Sequence, residues 1–525
     1  MPDFTVSTTD FVIAAAYIII VMGIGIWVSR SHKDSKSYLS SGGVLWPIIG
    51  ISMMSANLSG TSFVGIAGAG YDHGIAVWNY EWTATLVLIF FSLFVLPFYL
   101  RSKVSTMPEF LERRYDTRSR KVFAAFSVFT AIVIDSAGAL FAGSLTLQLL
   151  FPEVPLWMLI ASVAFLGGIY VIFGGLKAVM VTDTIQGVLL ILVGTVIFFM
   201  TFAQIGSWEG VRAAAPEGGF TLAPPADDDF FPWPGIFTGA IWLSFYYWTT
   251  NQVVVQKVLA AKDIDHGRWG LLLAAGMQLP FLFILVMPGV MGREIFPEIG
   301  EADQIWPALV FGLLPEGVRG LALAGLIAAL MSTVDSVLNG SASLVVNDFV
   351  KPAKKDISEE KLLLLSRVLV GLFMVMAAVW APIIGSFGGI VEYFQSFLGY
   401  ITMPVVVVFL GGLFWARPPR HAAFWTLSIG IPIGIVCFTL FEALELIELQ
   451  FLYGTGIMLA MNLAIYLAIT LTSDAPDLEP GEHVWSRDAW RDDRKALADT
   501  PLWKSHHAWS AVLVVITLGL VFAFI

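Results

Sequence analysis

Apolar windows long enough to cross a bilayer recur along this chain near 10–29, 45–70, 76–100, 120–150, 156–175, 179–205 and 234–257. They continue near 267–291, 317–349, 361–386, 388–415, 420–442, 449–472 and 507–525. A helix needs ~20 apolar residues to span a hydrocarbon core of ~30 Å, and these windows meet or approach that length. Lipid offers the backbone no hydrogen bonds, which restricts a spanning chain to helices and closed barrels. Continuous runs of this length read as helices. The expected fold is therefore an all-α integral membrane protein with about fourteen transmembrane helices. The composition agrees, with 57% hydrophobic and 13% charged residues, where soluble domains carry roughly 25% charged residues.

The positions of Lys and Arg test that count. With the N-terminus outside, Arg30, Lys33, Lys36, the run from Arg101 to Lys121, and Lys257, Lys262 and Arg268 all face the cytoplasm. So do Lys351, Lys354, Lys355, Lys361, Arg417, Arg420 and the cluster from Arg487 to Lys504. Of 29 Lys and Arg, only Arg212, Arg293 and Arg319 are left outside. The positive-inside rule thus fits fourteen spans with both termini outside. The segment 206–233, with Asp227, Asp228 and Asp229, suits an outside loop, and 473–506 reads as a solvated cytoplasmic connection. The first residues lack the positive region of a signal peptide, so the first apolar run reads as a retained helix.

A net charge of −11 argues against nucleic acid as a partner, because phosphate binding needs a basic face. Cys437 is the single cysteine, which excludes an internal disulfide and cysteine-rich metal sites. The histidines fall in loops or at span edges, so a haem, copper or zinc core at membrane depth is not expected, and neither is an organic cofactor. No nucleophile–base pair is evident at depth, and the chain reads as a non-enzyme.

Polar groups inside apolar spans are where function is expected. The ninth window holds Ala329, Ser332, Thr333, Asp335 and Ser336. Ala329, Ser332, Thr333 and Ser336 share one helical face, and Asp335 lies about 100° round from Ser336. A carboxylate at the bilayer centre costs ~2.5–3.5 kcal/mol on insertion scales, so something must compensate for it. Small residues and hydroxyls also serve close helix packing, but a face of hard oxygens beside a carboxylate suits a small cation such as Na⁺. Two spans look interrupted. The second carries a small and polar stretch over 53–62, and the seventh a polar and aromatic one over 244–252. They lie five spans apart, as two inverted five-helix repeats with broken first helices would place them.

Glu81, Asp135, Asp183, Gln186, Gln278 and Gln395 are further polar groups at depth, with Tyr247 and Trp248 offering ring faces. Such groups suit a hydroxyl-rich solute, because they donate and accept in pairs while an aromatic ring stacks on its apolar face. No Lys or Arg lies deep in a span. An anion would call for a buried guanidinium, so the inventory favours a neutral or cationic solute.

Several stretches resemble the solute:sodium symporters, in the sodium/glucose cotransporter branch. They are Ser55-Ala56-Asn57-Leu58-Ser59-Gly60, Asn79-Tyr80-Glu81-Trp82, Thr106-Met107-Pro108-Glu109-Phe110-Leu111, Gly174-Gly175-Leu176-Lys177 and Thr182-Asp183-Thr184-Ile185-Gln186. Tyr247-Trp248-Thr249-Thr250-Asn251-Gln252, Leu259-Ala260-Ala261-Lys262-Asp263 and Ala328-Ala329-Leu330-Met331-Ser332-Thr333 complete the set. The resemblance runs unbroken over about 10–440 and implies a LeuT-like core. In that core 1–44 holds the first helix and a cytoplasmic loop, 45–205 the first repeat, 206–233 an extracellular loop, 234–416 the second repeat and 417–525 three further helices. The family's sodium site falls on the backbone of Ser55 and Leu58 with Ala329, Ser332 and Thr333. A second site, present in some members, falls on Asp183, Asp335 and Ser336, where Asp335 stands in place of the commoner Ser or Thr. The sugar positions fall on Ser62, Glu81, Ser244, Gln278 and Gln395, with Tyr247 as the aromatic inner gate. Ser62 and Gln278 depart from the branch's pattern, which bears on the identity of the sugar. Sialic-acid carriers of the family place an Arg on the fourth helix, where this chain has Asp135. The resemblance implies a plasma (inner) membrane symporter that imports a neutral sugar or polyol with one or two Na⁺. A cationic amine or small osmolyte is the alternative solute, and a transporter-like sensor a more distant one.

Overall fold

The computed structural model describes residues 7–30, 43–102, 104, 106–173, 176–354, 357–474 and 501–525. Within them the chain is helical, with one isolated β-bridge between Val44 and Ala261. Among these residues nine helices are long and apolar enough to cross a membrane, or ten if Ile390–Ile401 and Met403–Phe414, bent by 54°, form one span.

The difference from fourteen has physical causes. Gly60–Arg101 is one helical stretch of 42 residues, which would be ~63 Å long if straight, twice the hydrocarbon thickness. It turns at Gly74, where φ is 77°, a left-handed value that glycine adopts without the Cβ clash other residues meet. Two expected windows therefore lie inside one counted stretch. Thr8–Val21, Trp46–Ser55 and Leu156–Phe165 are apolar but shorter, and the window at 234–257 is divided at Asn251.

Seven helices build the site and are labelled in chain order. They are α1 (Trp46–Asn57), α2 (Gly60–His73), α3 (Asn79–Phe90), α4 (Ile241–Thr250), α5 (Gln252–Leu259), α6 (Val318–Val345) and α7 (Ile390–Ile401). Both expected interruptions are present. Between α1 and α2 the backbone leaves the helix at Leu58 (φ −77°, ψ 60°), and Ser59 then caps α2 by accepting the Ser62 N–H. Gly60 keeps this break tight against α6, since a Cβ there would lie 2.5 Å from Leu330 Cγ. Between α4 and α5, Asn251 is extended (φ −67°, ψ 125°) and its side chain accepts the Val253 N–H. α1 packs on the helices Leu176–Ile205 and Ile264–Gln278, and α6 packs on Leu176–Ile205. The helix Thr117–Thr130 continues through a π-helical turn, Ala131–Ser136, that carries Asp135. Such turns are rare and concentrate at functional sites.

Outside the spans, Arg114 is buried and donates to the carbonyls of Gly412 (3.0 Å) and Trp415 (2.9 Å). It thereby caps the end of Met403–Phe414, whose last carbonyls have no partner within the helix. Arg120 joins Glu112 and Asp348, each at 2.5 Å. The carboxyl of Glu112 is held below its ordinary value because the bonds from Arg120 and Thr117 outweigh its partial burial.

Candidate functional site

Two adjoining cavities meet at the α1–α2 break. The larger, about 480 Å³, runs from Val44, Lys257, Ala260 and Asn347 inward to Ser55, Leu58, Ala329 and Thr333. It therefore collects four of the five residues expected to hold sodium. The fifth, Ser332, lies on α6, but its side chain falls outside the described residues. The break itself supplies oxygen ligands, since the last carbonyls of a helix have no intrahelical partner. The Met54 carbonyl accepts the Leu58 N–H at 2.7 Å and the Asn57 carbonyl accepts Ser62 Oγ at 2.5 Å. Among the described residues no donor occupies the carbonyls of Ser55 and Leu58. Thr333 Oγ1 donates back to the Ala329 carbonyl at 2.9 Å.

Of the second expected cation site, Asp335 is fully buried on α6 and accepts from Asn339 Nδ2 at 2.5 Å. Asp183 lies on Leu176–Ile205 and Ser336 on α6, and both side chains fall outside the described residues. Among the described residues no group of three His, Cys, Asp or Glu could hold a metal ion.

The smaller cavity, about 190 Å³, is lined by Ser62, Glu81, Ser244, Tyr247 and Gln395. At ~30 Å³ per water this space matches about six waters, the room of one small solute. Five of the six expected solute residues therefore share one chamber. Ser62 is held by its bond to Asn57, and Ser244 Oγ by Thr83 Oγ1 at 3.0 Å. The carboxylate of Glu81 makes no hydrogen bond or ion pair among the described residues. The sixth residue stands apart. Gln278 is fully buried at the end of Ile264–Gln278, lines neither cavity, and has no partner for either amide atom among the described residues.

Ser59, Thr130, Asp135, Tyr246, Tyr247, Asn251 and Thr333 line both cavities and form the neck between them. Tyr247 and Trp248 sit edge to face there, with ring centroids 5.2 Å apart. Sequence reasoning assigns no role to Thr130, Tyr246 or Asn251. Their signal lies in chain neighbourhood: Tyr246 and Asn251 flank the aromatic patch, and Thr130 precedes the π turn. No Lys or Arg lines the smaller cavity.

The sequence profile of the sodium:solute symporter family matches residues 37–430. The chain is similar to the sodium/myo-inositol cotransporter 2 of Bos taurus, 30% identical over 535 residues that cover 91% of this chain and 79% of that one. It is also similar to the sodium/glucose cotransporter of Vibrio parahaemolyticus, 30% identical over 510 residues that cover 90% of this chain and 92% of that one. Among solved structures, a substrate-bound, outward-open Na⁺-coupled sialic acid symporter has a TM-score of 0.74 at 22% identity, covering 90% of this chain and all of that one. At that identity the likeness is one of fold.

Proposed function

The chain belongs to the sodium:solute symporter family, and on that footing we propose that it imports a neutral sugar or polyol by alternating access, driven by inward Na⁺ movement. One observation carries this reading: a hydroxyl-and-carbonyl face and a solute-sized polar chamber meet at one helix break. Na⁺ is held by the carbonyls of Ser55 and Leu58 with Ala329, Ser332 and Thr333, and it ties α1 to α6. The solute lies in the smaller cavity, where Glu81 and Gln395 accept and donate to its hydroxyls and Tyr247 closes the inner side. Gln278, with an amide lacking partners here, meets the solute in another state of the cycle. An orphaned buried amide costs ~1–3 kcal/mol, a penalty that such a change of partner would relieve.

The larger cavity opens toward the Lys- and Arg-rich loops and represents the inward-facing state, with both termini outside and about fourteen spans arranged as two five-helix repeats in the plasma (inner) membrane. Each cation moved inward gains ~2.3 kcal/mol per 100 mV of inside-negative potential. A second ion at Asp183, Asp335 and Ser336 would double the electrical drive. Asp335→Ser should then lower the charge moved per solute from two to one.

The test is uptake of labelled myo-inositol and glucose into proteoliposomes. It should need an inward Na⁺ gradient and fail with K⁺; equal uptake with K⁺ would refute the coupling. A second reading has its own observation, namely two carboxylates, Glu81 and Asp135, on a cavity whose lining holds no Lys or Arg. That charge suits an amine, which aromatic faces also attract. Competition by amines but not by sugars would favour it.

A further inference from the structure

His73, the last residue of α2, stacks on Phe230 with ring centroids 3.9 Å apart and planes within 1°. Its Nε2 lies 2.6 Å from Glu392 Oε1. The pair therefore joins three segments: the end of the broken helix, the loop at 206–233, and the first turn of α7. Each side chain keeps 30% of its surface exposed, so solvent reaches the pair. α7 roofs the smaller cavity, which Ile390, Val391, Phe394 and Gln395 line. Glu392 and Gln395 are three residues apart and thus neighbours on the helix surface. A second tie holds the same turn, because Asp303 Oδ2 accepts the Ile390 N–H at 2.9 Å.

We propose that His73 is a positioning residue for the solute site: its grip on Glu392 fixes the first turn of α7, sets Gln395 over the cavity, and tightens when the imidazole carries a proton. The proposal rests on the reading of that cavity as the solute site. The neutral ring offers Glu392 an ordinary hydrogen bond, whereas the protonated ring offers an ion-paired one, roughly twice as strong. Several titratable groups surround the pair. Asp72 adjoins His73 on α2, Asp303 and Glu301 face the pair from the 301–304 turn, and Glu442 and Tyr80 face Glu392 from the far side. Arg293 is the cation acting on this group. The Phe230 loop contributes Asp228, which is engaged with the N–H groups of Phe230 and Phe231. Burial pushes the Asp303 carboxyl up to about 8, against the pull of the Ile390 N–H.

Na⁺-driven uptake of labelled myo-inositol and glucose, measured at saturating Na⁺ from about pH 5.5 to 7.5, tests this. KM should rise about three- to tenfold across that window while maximal velocity changes less than about twofold. His73→Ala and Glu392→Gln should each raise KM at pH 5.5 to the pH 7.5 level and flatten the profile. His73→Arg should restore the low KM at every pH, because a guanidinium both stacks on an aromatic ring and pairs with a carboxylate. A pH profile that survives in His73→Ala overturns the proposal, and so does an arginine variant as weak as the alanine one. Should one variant fail to fold, the other and the arginine rescue still decide. If no sugar or polyol enters with Na⁺, the reading of the site falls and this proposal with it. If uptake is Na⁺-driven but the native KM is flat with pH, only the role of His73 falls.

Discussion

The two broken helices of this protein interrupt in similar places and differ in what stands opposite the break. At the second break part of the backbone is taken up by distant and local partners, while the carbonyls of Tyr247, Trp248 and Thr250 have no donor among the described residues. The Thr249 carbonyl accepts Tyr99 Oη at 3.0 Å, the Tyr246 carbonyl accepts Thr250 Oγ1 at 2.6 Å, and the Asn251 carbonyl accepts the Val255 N–H at 3.0 Å. The Asn251 side chain caps α5 in turn, through the Val253 N–H at 2.9 Å. At the first break the carbonyls of Met54 and Asn57 are taken, while those of Ser55 and Leu58, two residues that line the larger cavity, have no donor among the described residues. Carbonyls without donors therefore do not distinguish the two breaks; the α6 face opposite the first does, where Ala329 and Thr333 line the same cavity as Ser55 and Leu58. At the second break Tyr246 and Tyr247 line the neck, and Trp248 lines the smaller cavity beyond it.

The most severe way to break this comparison is to remove the hydroxyls opposite the first break. Ser332→Ala with Thr333→Ala should lower Na⁺ affinity by more than about a hundredfold and abolish Na⁺-driven uptake, since two cation ligands are lost at about 1.5–3 kcal/mol each. Sodium-dependent thermal shift reads the affinity directly. Unchanged Na⁺ affinity would remove the cation from the first break. Fold stability should change little with Thr333→Ala, whose back-bond to Ala329 adds little to a helix that already satisfies its own backbone. Next in size is Glu81→Gln. It should raise the solute KM about ten- to a hundredfold, the worth of a hydrogen bond to a charged acceptor, and leave Na⁺ affinity within about twofold. A matching loss of Na⁺ affinity would show that the two cavities do not divide their labour.

The helix break and the shared helical face were legible in the sequence, because they rest on local chemistry. The stretch Ser55-Ala56-Asn57-Leu58-Ser59-Gly60 announces a break through small and hydroxyl residues, and the spacing of Ala329 and Thr333 announces a shared face. Both survive folding because a helix fixes its own register. Gln278 was not legible in the same way. Whether its amide reaches the cavity depends on how Ile264–Gln278 packs against its neighbours, which sequence spacing does not encode. The number of spans is not read off the helices directly for a related reason: a turn at Gly74 with positive φ lets two windows run on as one helical stretch. The bond from Tyr99 to the second break was hidden as well, since Tyr99 lies about 150 residues from Thr249. The link between His73 and Glu392 spans 319 residues and is visible only in three dimensions.

Smaller changes at the second break sharpen the contrast. Tyr99→Phe removes the hydroxyl on the Thr249 carbonyl and leaves a buried acceptor unpaired. It should destabilise the protein by ~1–3 kcal/mol, seen as a lower midpoint in thermal unfolding in detergent. Na⁺ affinity should stay unchanged, because one freed carbonyl lacks the hydroxyl face that α6 provides at the first break. A second, new Na⁺-dependent stabilisation in this variant would mean that partner occupancy alone decides which break binds a cation. Asn251→Ala is the mildest test. Loss of an N-cap costs ~0.5–2 kcal/mol, and it should loosen the start of α5 beside the Gln252 side chain, which accepts the Met107 N–H at 2.7 Å. Because Asn251 also lines the neck, the expected signature is faster solute exit with KM and Na⁺ affinity held. If Na⁺ affinity falls as well, the two breaks act as one unit and the distinction between them fails.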